Sequence, residues 1–443
     1  MARVRVEGSV REAIDQRTST TPAADRRAST GATAAICLGL ALSLASLAPL
    51  EAAPSDTPLI FAHDQAPTSE SCLAPDQRCT WELTEGGPYE EKALGAAALA
   101  NGGFIVVGDA RGAGSPNFSA WAMSVSADGR RLWRIPIGGA KGDQLVSVTP
   151  TSGGGVLAVG HTRSKGRGES DVWIVRLAPS GLVLWEKTFG GPENDRAKSV
   201  VRLADGGYAV AGFTASFGAG SRDIWLLRLD DAGAHLWSRT FGGVGTDSAM
   251  SVAATADGGI ALTGQIWAED APRADLAVMR LNAEGDVLWR RTVDRSKIDI
   301  GTAVAPTADG GLMVLGSSQA ETGLTDDILA LRYDAAGGLV WEKRLGAEKR
   351  DVPWSTTETA NGDILIAAAT WSFGAGSADA WLLRLSASGD EVWRRTYGGP
   401  AWDRALGVLA LPGDEMLVIG HTSNKGAGYE DAWMLRLDSD GRL

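Results

Sequence analysis

The chain has 443 residues, with 57 Gly, 16 Trp and only 3 Cys, and it carries a formal net charge of −12. The charge argues against nucleic acid as a partner, because binding to a phosphate backbone needs clustered Lys and Arg. Abundant Gly, together with Trp in excess of Phe and Tyr, is typical of an all-β chain with many tight turns and one repeated aromatic packing position. Length alone allows one large propeller or barrel, or several average domains.

Residues 1–53 have the pattern of a signal peptide or a membrane anchor. The arginines that precede an apolar run at residues 32–50 are Arg3, Arg5, Arg11, Arg17, Arg26 and Arg27. Cleavage near Ala52 or Ala53 would release a secreted, periplasmic or cell-envelope protein. The alternative is an uncleaved anchor, because the apolar run approaches the roughly 18 residues that a spanning helix needs. We expect membrane contact through this segment only.

Residues 54–78 form a predicted linker that contains Cys72. Cys72 and Cys79 are the only cysteines after the N-terminal segment, and their short separation predicts a disulfide in an oxidising compartment. The competing interpretation is a metal site, which would need further Cys or His ligands nearby, and His63 is the one candidate. We therefore predict the disulfide and no metal.

A repeat of 52 residues fills the chain from residue 79 to residue 443. One Trp recurs at this spacing without insertion or deletion, at Trp81, Trp133, Trp185, Trp237, Trp289, Trp341 and Trp393. A glycine column has the same period, at Gly129, Gly181, Gly233, Gly285, Gly337, Gly389 and Gly441. An acidic column follows it too, at Glu91, Asp143, Asp195, Asp247, Asp299, Asp351 and Asp403. Such a period predicts an array of one structural unit.

One copy of the repeat indicates how each unit folds. Residues suited to strands occur at 197–203, 208–214, 224–229 and 235–241, with Gly-containing turns or loops between them. Four antiparallel strands per unit form a propeller blade. The predicted fold class is therefore all-β, a seven-bladed β-propeller. Because the repeat runs out at the C-terminus, the strand around Trp81 should pair with residues 431–437 and close the last blade.

The stretches LAPSGLVLWEKTFGG and LSASGDEVWRRTYGG contain Trp185 and Trp393 of the repeated column. They resemble the tryptophan-docked repeats of quinoprotein dehydrogenases and of the related outer-membrane assembly propellers. The resemblance covers about residues 79–443 through one short motif per blade, and it implies that each Trp packs against the neighbouring blade. Those quinoproteins usually have eight blades and adjacent cysteines at the cofactor. Because this chain has neither feature, we expect no bound quinone and no other cofactor.

The acidic column has two interpretations. Each carboxylate could cap the turn into the first strand of its blade by accepting hydrogen bonds from backbone N–H groups. Alternatively, the seven carboxylates could surround the mouth of the channel and bind cations. We favour capping, because a residue present in every blade usually stabilises the blade.

Tryptophans outside the repeated columns break the symmetry of the ring and are our candidate ligand-binding residues. They are Trp267, Trp354, Trp371 and Trp402. Trp371 and Trp402 share columns with mainly polar residues, so we expect both to be exposed. We expect these two and Trp354 on the face that bears the longer loops, with Trp267 two blades away as a second contact. The alternative is that isolated surface Trp residues fill gaps between loops.

His161 and His421 occupy one column and complete the candidate ligand contacts. Duplication of one loop sequence is the simpler explanation of the pair, since other blades carry Phe, Gln, Ser or Ala there. Four histidines in the whole chain are too few for a metal cluster.

The short, uniform loops favour a non-catalytic binding or scaffold propeller for a protein or carbohydrate partner, acting as a monomer at the cell envelope. The alternative is an enzyme, either a quinoprotein-like oxidoreductase or a polysaccharide-acting hydrolase or lyase. A paired-carboxylate site would need two inward-facing acids outside their column, and we identify none.

Overall fold

The computed structural model describes residues 79–112, 117–267, 273–296, 298–319 and 326–443. These residues form seven four-stranded antiparallel sheets, which confirms the predicted seven-bladed propeller. The predicted signal peptide or anchor (1–53) and the predicted linker with Cys72 (54–78) lie outside the described residues. Within the described part, no helix is long and apolar enough to cross a membrane.

Each blade has four strands, called A to D from the channel outward, and strand A packs against the A strands of both neighbouring blades. The chain begins with β1 (Trp81–Glu85). Blade 1 contains β2 (Glu91–Ala98), β3 (Phe104–Arg111), β4 (Phe118–Val125) and β5 (Arg131–Ile137). Blade 2 contains β6 (Asp143–Pro150), β7 (Val156–Thr162), β8 (Asp171–Leu177) and β9 (Val183–Phe189). Blade 3 contains β10 (Asp195–Arg202), β11 (Tyr208–Thr214), β12 (Asp223–Leu229) and β13 (His235–Phe241).

The remaining blades follow the same order. Blade 4 contains β14 (Ser248–Ala254), β15 (Ile260–Trp267), β16 (Ala274–Leu281) and β17 (Val287–Val293). Blade 5 contains β18 (Asp299–Pro306), β19 (Leu312–Gln319), β20 (Asp326–Tyr333) and β21 (Leu339–Leu345). Blade 6 contains β22 (Asp351–Glu358), β23 (Ile364–Thr370), β24 (Asp379–Leu385) and β25 (Glu391–Tyr397). Blade 7 contains β26 (Asp403–Ala410), a 3₁₀ turn (Pro412–Asp414), β27 (Met416–Thr422) and β28 (Asp431–Leu437).

Strand β1 closes the ring as predicted. It pairs antiparallel with β28, from Trp81 opposite Arg436 to Glu85 opposite Ala432, and so becomes strand D of blade 7. Trp81 is 3% exposed, and its Nε1 donates a hydrogen bond to the carbonyl of Ala127 in blade 1 at 2.9 Å. Both ends of the propeller therefore lie in one blade, and blade 7 has four strands like the other six.

The outer-strand Trp of each blade packs on the turn between strands C and D of the next blade. The turn residue is always a glycine with φ between 70° and 86°. A Cβ atom on that glycine would lie 2.4 to 3.1 Å from the Trp ring in all seven blades, 2.4 Å for Gly233 against Trp185. Two features of this turn require glycine: the positive φ of its backbone and the close approach of the Trp ring. The seven contacts match the packing that the resemblance implies.

The residues of the acidic column are buried, with exposures of 0 to 3%. Asp143 accepts hydrogen bonds from the backbone N–H of Gly139 at 2.6 Å and from the hydroxyl of Thr162. Gly191 and Gly399 donate in the same way to the acids of their own blades. These contacts agree with capping, and no group of three His, Cys, Asp or Glu within the described ranges could hold a metal ion.

A second acidic column begins strand C, and we did not predict its role. It comprises Asp171, Asp223, Asp275, Asp327, Asp379 and Asp431, all but Asp327 buried. The Oδ2 atoms of Asp171 and Asp223 accept hydrogen bonds from Gly168 and Gly220, at 3.0 and 2.9 Å. This column therefore fixes the loops between strands B and C, while the first column fixes the connections between blades.

Every A strand contains a β-bulge, which follows the second residue of β14 and the third residue of the other six strands. The extra residues line the central channel, and they are Leu94, Val146, Lys198, Met250, Thr302, Trp354 and Leu406. They surround a cavity of about 250 Å³. A bulge redirects one side chain, and here it turns one residue per blade towards the axis of the ring.

Serines link four pairs of adjacent A strands. The hydroxyl oxygen of Ser199 accepts a hydrogen bond from the N–H of Val252 in the next blade at 3.2 Å. The other three, Ser147, Ser251 and Ser355, accept in the same way at 3.2 to 3.3 Å. Gly95, Ala303 and Gly407 occupy this position in the remaining blades. The inner ring is thus held by hydrogen bonds at some blade interfaces and by apolar packing at others.

Candidate functional site

The loops between strands B and C and the connections between blades share one end of the channel, which we call the loop face. Two columns at this end differ from blade to blade. The position after the acidic column is occupied by Lys92, Gln144, Arg196, Ser248, Ile300, Val352 and Arg404. Its partner on strand B is Asp109, His161, Phe213, Gln265, Ser317, Ala369 or His421. The uniform scaffold therefore surrounds an asymmetric channel mouth.

Two of the predicted tryptophans meet on the loop face. The rings of Trp371 and Trp402 lie 5.8 Å apart in an edge-to-face arrangement. Trp402 is 41% exposed and Trp371 is half-buried. The guanidinium of Arg404 lies 5.6 Å from the first ring and 5.0 Å from the second, and that of Arg350 lies 5.6 Å from Trp371. We call these four residues the Trp–Arg cluster.

The two arginines of the Trp–Arg cluster differ in their partners. Arg350 forms an ion pair with Asp326, with Nε 2.9 Å from Oδ2. Arg404 has a buried Nε without a hydrogen-bond partner within the described ranges. Burial lowers the pKa of Arg404, with an opposing contribution from Glu430. Stacking on the two indole rings offsets part of the cost of burying this cation.

The other two predicted tryptophans lie elsewhere. Trp354 is 40% exposed, but it projects from the bulge of β22 into the central channel, so its predicted position on the loop face is wrong. The bulge is the physical reason, because it changes the direction of the side chain relative to regular alternation. Trp267 ends β15 and is half-buried, two blades from Trp371 as predicted.

The two predicted histidines are buried beneath the loop face rather than exposed on it. His161 is 8% exposed and His421 is 1% exposed. Burial and nearby cations lower the pKa of His161 to about 3, and burial lowers that of His421 to about 4. Nδ1 of His421 lies 3.8 Å from Oε1 of Glu430. Both imidazoles are neutral at pH 7, and neither presents a charged surface to a ligand.

A basic group surrounds His161 on blades 2 and 3. Its members are Arg163, Arg196 and Arg222, together with Lys198, which lines the adjoining channel, and we call these four residues the basic patch. Their mutual repulsion lowers the pKa values of Arg196 and Lys198 further, after burial. Nε of Arg196 donates to the Ser170 hydroxyl at 3.3 Å, and Arg222 stacks on a Phe ring. Among the described residues, no carboxylate forms an ion pair with any member.

An acidic group lies at the mouth between blades 7 and 1, two blades from the basic patch. Glu430 pairs with Lys92 at 2.7 Å, and Glu90 pairs with Arg111 at 3.4 Å. Burial raises the pKa of Asp109 to about 6, although Gln144 donates a hydrogen bond to it.

Column comparison should have revealed these acids. Asp109 shares its column with histidines, Phe, Gln, Ser and Ala, and Glu430 shares its column with Phe, Ser, Arg, Asp and two Ala residues. Our search for two inward-facing acids that could form a paired-carboxylate site did not identify these two residues. We also missed the basic patch, because its four positions belong to different columns and meet only where blade 2 packs against blade 3.

Sequence comparison relates part of the chain to a known protein. No family model matches the chain. A stretch of 198 residues is 32% identical to regulatory protein FlaEY of Caulobacter vibrioides, covering 39% of this chain and 20% of that protein. The match therefore spans about a fifth of that relative's length, and it does not assign the relative's activity to this chain.

Two solved propellers illustrate the structural likeness. Puromycin hydrolase matches with a TM-score of 0.50 and 16% identity, over 81% of this chain and 55% of that chain. Sqt1 of Chaetomium thermophilum, solved with the N-terminus of ribosomal protein L10 bound, matches with a TM-score of 0.44 and 13% identity, over 76% and 84% of the two chains. At 16% identity the match to puromycin hydrolase shows the fold alone, without selecting the tryptophan-docked repeat family from other propellers.

Proposed function

We propose that this protein is a non-catalytic binding propeller whose loop face takes an acidic segment of a partner protein. The basic patch is the observation that carries the proposal. Burial and the neighbouring Arg163 and Arg222 lower the pKa of Arg196, and burial, Arg196 and Arg222 lower that of Lys198, in a chain with a net charge of −12. Clustered cations without carboxylate partners favour an anionic ligand and accelerate its association.

The position of the Trp–Arg cluster supports a ligand that crosses the mouth. The basic patch lies on blades 2 and 3, while the Trp–Arg cluster lies on blades 6 and 7, on the far side of the ring. Partly exposed indole rings suit apolar or aromatic side chains. A segment with acidic residues at one end and an apolar residue at the other would contact both groups across the channel.

Burial at the mouth favours binding over acid–base catalysis. A carboxyl with a pKa of about 6, such as that of Asp109, would suit a general acid. Asp109 is 2% exposed, however, so substrate atoms do not reach it. Its interactions with Lys92 and Gln144 join blades 1 and 2 to the neighbouring blade 7 through Glu430.

We also propose that the protein acts in an oxidising compartment at the cell envelope or outside the cell. The Arg-bearing lead before the apolar run and the isolated cysteines Cys72 and Cys79 support this location. Cys79 is 9% exposed at the start of the propeller, and Cys72 lies outside the described residues, so their disulfide stays a prediction.

Fluorescence anisotropy with synthetic peptides tests the proposed function. The probe is a labelled Glu-rich peptide with one Trp, and the controls replace every Glu by Gln or by Lys. We expect the Glu peptide to bind at least about tenfold more tightly than the Gln peptide, and its affinity to fall as salt screens the charges. Equal affinity for the Glu and Gln peptides would overturn the proposal.

We also expect the Trp–Arg cluster to contact the peptide, and this expectation is tested separately. The double substitution Trp371→Ala and Trp402→Ala should weaken binding of the same peptide by at least about tenfold, since it removes both aromatic contacts. Replacing the peptide's Trp by Ala should produce a similar loss in the unmodified protein and no further loss in the double variant. An unchanged affinity in the double variant would show that the cluster does not contact the ligand.

A further inference from the structure

One column on the outer strands is charged in every blade except blade 3. Its members are Glu82, Arg134, Glu186, Ser238, Arg290, Glu342 and Arg394. In blade 2, Glu186 accepts a hydrogen bond from the indole N–H of Trp173 at 3.1 Å and pairs with Lys165 at 2.5 Å. In blade 7, Glu82 accepts from Trp433 at 2.7 Å and pairs with a lysine in the same way. These charged side chains cover the Trp of strand C.

Blades 3 and 6 have Phe in place of that lysine. They differ in the outer-strand residue that covers the Phe and Trp rings. In blade 6, Phe373 packs 5.2 Å from Trp381, and the guanidinium of Arg394 lies 5.3 Å from the Phe ring. In blade 3, Phe217 packs 5.5 Å from Trp225, but the covering residue is Ser238. The small side chain leaves a cavity of about 680 Å³ above these rings, between blades 2 and 3.

The cavity combines aromatic walls with polar groups. Phe189 and His235 form a second wall, with ring centroids 5.9 Å apart. Hydroxyl groups of Thr188, Ser238 and Thr240 also line it. Its volume is within the range of about 300–1,000 Å³ that is typical of small-molecule sites.

Two donors at the cavity have no carboxylate partner among the described residues. Trp225 has Ser238 where its counterparts in blades 2 and 7 have a glutamate acceptor. Arg167 lies exposed at the edge of the cavity, and no ion pair of its guanidinium exists within the described ranges. A ligand carboxylate would replace the missing glutamate and would also neutralise Arg167.

We propose that this cavity, which we call the blade 2–3 pocket, binds a hexuronic acid residue of an acidic polysaccharide. The sugar ring presents an apolar face to Phe217 and Trp225, its hydroxyls reach the Ser and Thr hydroxyls, and its carboxylate meets Arg167. A neutral sugar lacks the charge, and an aromatic acid lacks the hydroxyls. The pocket is separate from the channel mouth and does not depend on the proposed peptide site.

Isothermal titration calorimetry with a galacturonic acid disaccharide tests the proposal. Ser238→Arg reproduces the Phe, Arg and Trp combination that blade 6 already contains, so the variant should fold, and an unchanged melting temperature would verify this. We expect Ser238→Arg to abolish binding and Arg167→Gln to weaken it by at least about tenfold. Arg239→Gln, on the same strand but stacked on Trp237 outside the pocket, should leave binding unchanged.

Three results would overturn the proposal. The first is no binding of the disaccharide to the unmodified protein, and the second is equal binding of a neutral glucose disaccharide. The third is binding that survives Ser238→Arg in a folded protein. In the first case, benzoate binding would show that the pocket takes an aromatic acid and not a sugar. Because Ser238→Arg leaves the channel mouth intact, its effect on the acidic peptide should be nil, which separates this test from that of the proposed function.

Discussion

The rim of the propeller, where each outer-strand Trp packs on the next blade, is uniform, whereas the mouth of its channel differs from blade to blade. On the rim, the same Trp packs on the same turn glycine in all seven blades, and no blade departs from the pattern. At the mouth, the residue after the acidic column varies among Lys, Gln, Arg, Ser, Ile and Val. Both regions are built from one repeat, so the difference reflects what each residue contacts.

The contrast separates scaffold from site. A rim residue contacts the next blade, and seven equivalent interfaces require seven equivalent residues. The contacts of a mouth residue differ from blade to blade, so blade packing does not require the same residue in each blade. The charges gathered there, basic on blades 2 and 3 and paired acids between blades 7 and 1, are therefore the basis of our proposal that the mouth recognises a ligand without sevenfold symmetry.

The largest expected effect comes from breaking the rim at its closure. Trp81→Ala removes a nearly buried ring, its contact with Phe104 and its hydrogen bond to Ala127. We expect the free energy of unfolding to fall by about 3–5 kcal/mol. Trp402→Ala, at an exposed ring on the mouth, should cost less than about 1 kcal/mol. Denaturant unfolding of both variants measures the difference, and equal losses would contradict the distinction between rim and mouth.

The next largest effect is the pH dependence of stability that we expect from His421, a buried histidine at the channel mouth. The pKa of His421 is about 4 in the folded protein against 6.5 unfolded, under the influence of burial, Glu430, Lys92 and Arg404. The unfolded chain therefore takes up the proton first, and stability is lost as pH falls from 6.5 towards 4. His421→Gln introduces the glutamine that blade 4 has in this column. It should reduce the loss in the free energy of unfolding over this pH range by up to about 3 kcal/mol.

The measurement is the free energy of unfolding of both proteins at several pH values between 4 and 7. His235→Gln, at an exposed residue of strand β13, is the matched control and should follow the unmodified protein. Parallel pH curves for the unmodified protein and His421→Gln would show that His421 is not the residue responsible.

The smallest expected effect concerns the serines between A strands. Ser199→Ala removes the acceptor of the Val252 N–H and should cost about 1 kcal/mol. Ala303→Ser introduces the same hydroxyl at an interface that lacks it, and should add about 0.5–1 kcal/mol. Chemical denaturation of each variant tests the pair. A stabilising Ser199→Ala would mean that apolar packing, and not the hydrogen bond, holds the inner ring.

Spacing alone predicted most of the fold. The Trp period located the blades, and the strand predicted at residues 197–203 is found at Asp195–Arg202, with the following strand at Tyr208–Thr214. Ring closure followed from the repeat count, because the chain ends where another outer strand would begin. These features recur in each blade, so seven copies reinforce one signal.

The mouth was less predictable, since its geometry comes from contacts between columns. The bulge that turns Trp354 into the channel leaves no mark in residue type, because its column contains Lys, Thr and apolar residues alike. The contact between Trp371 and Trp402 joins the end of a B strand to the connection between two blades. Sequence alone identified both tryptophans as exceptions, and only the packing of adjacent blades showed that they touch.

The proposed binding site at the channel mouth is tested most directly by removing two arginine charges from the loop face and, in a second variant, two from the opposite face. One variant combines Arg163→Gln and Arg222→Ser, using residues that other blades carry in those columns. The other combines Arg130→Gln and Arg442→Gln, whose side chains are 68% and 67% exposed on the turns of the opposite face. Affinity for the Glu-rich peptide is measured by anisotropy for both. We predict a loss of at least about tenfold for the first and less than about twofold for the second; equal losses would contradict a binding site at the channel mouth.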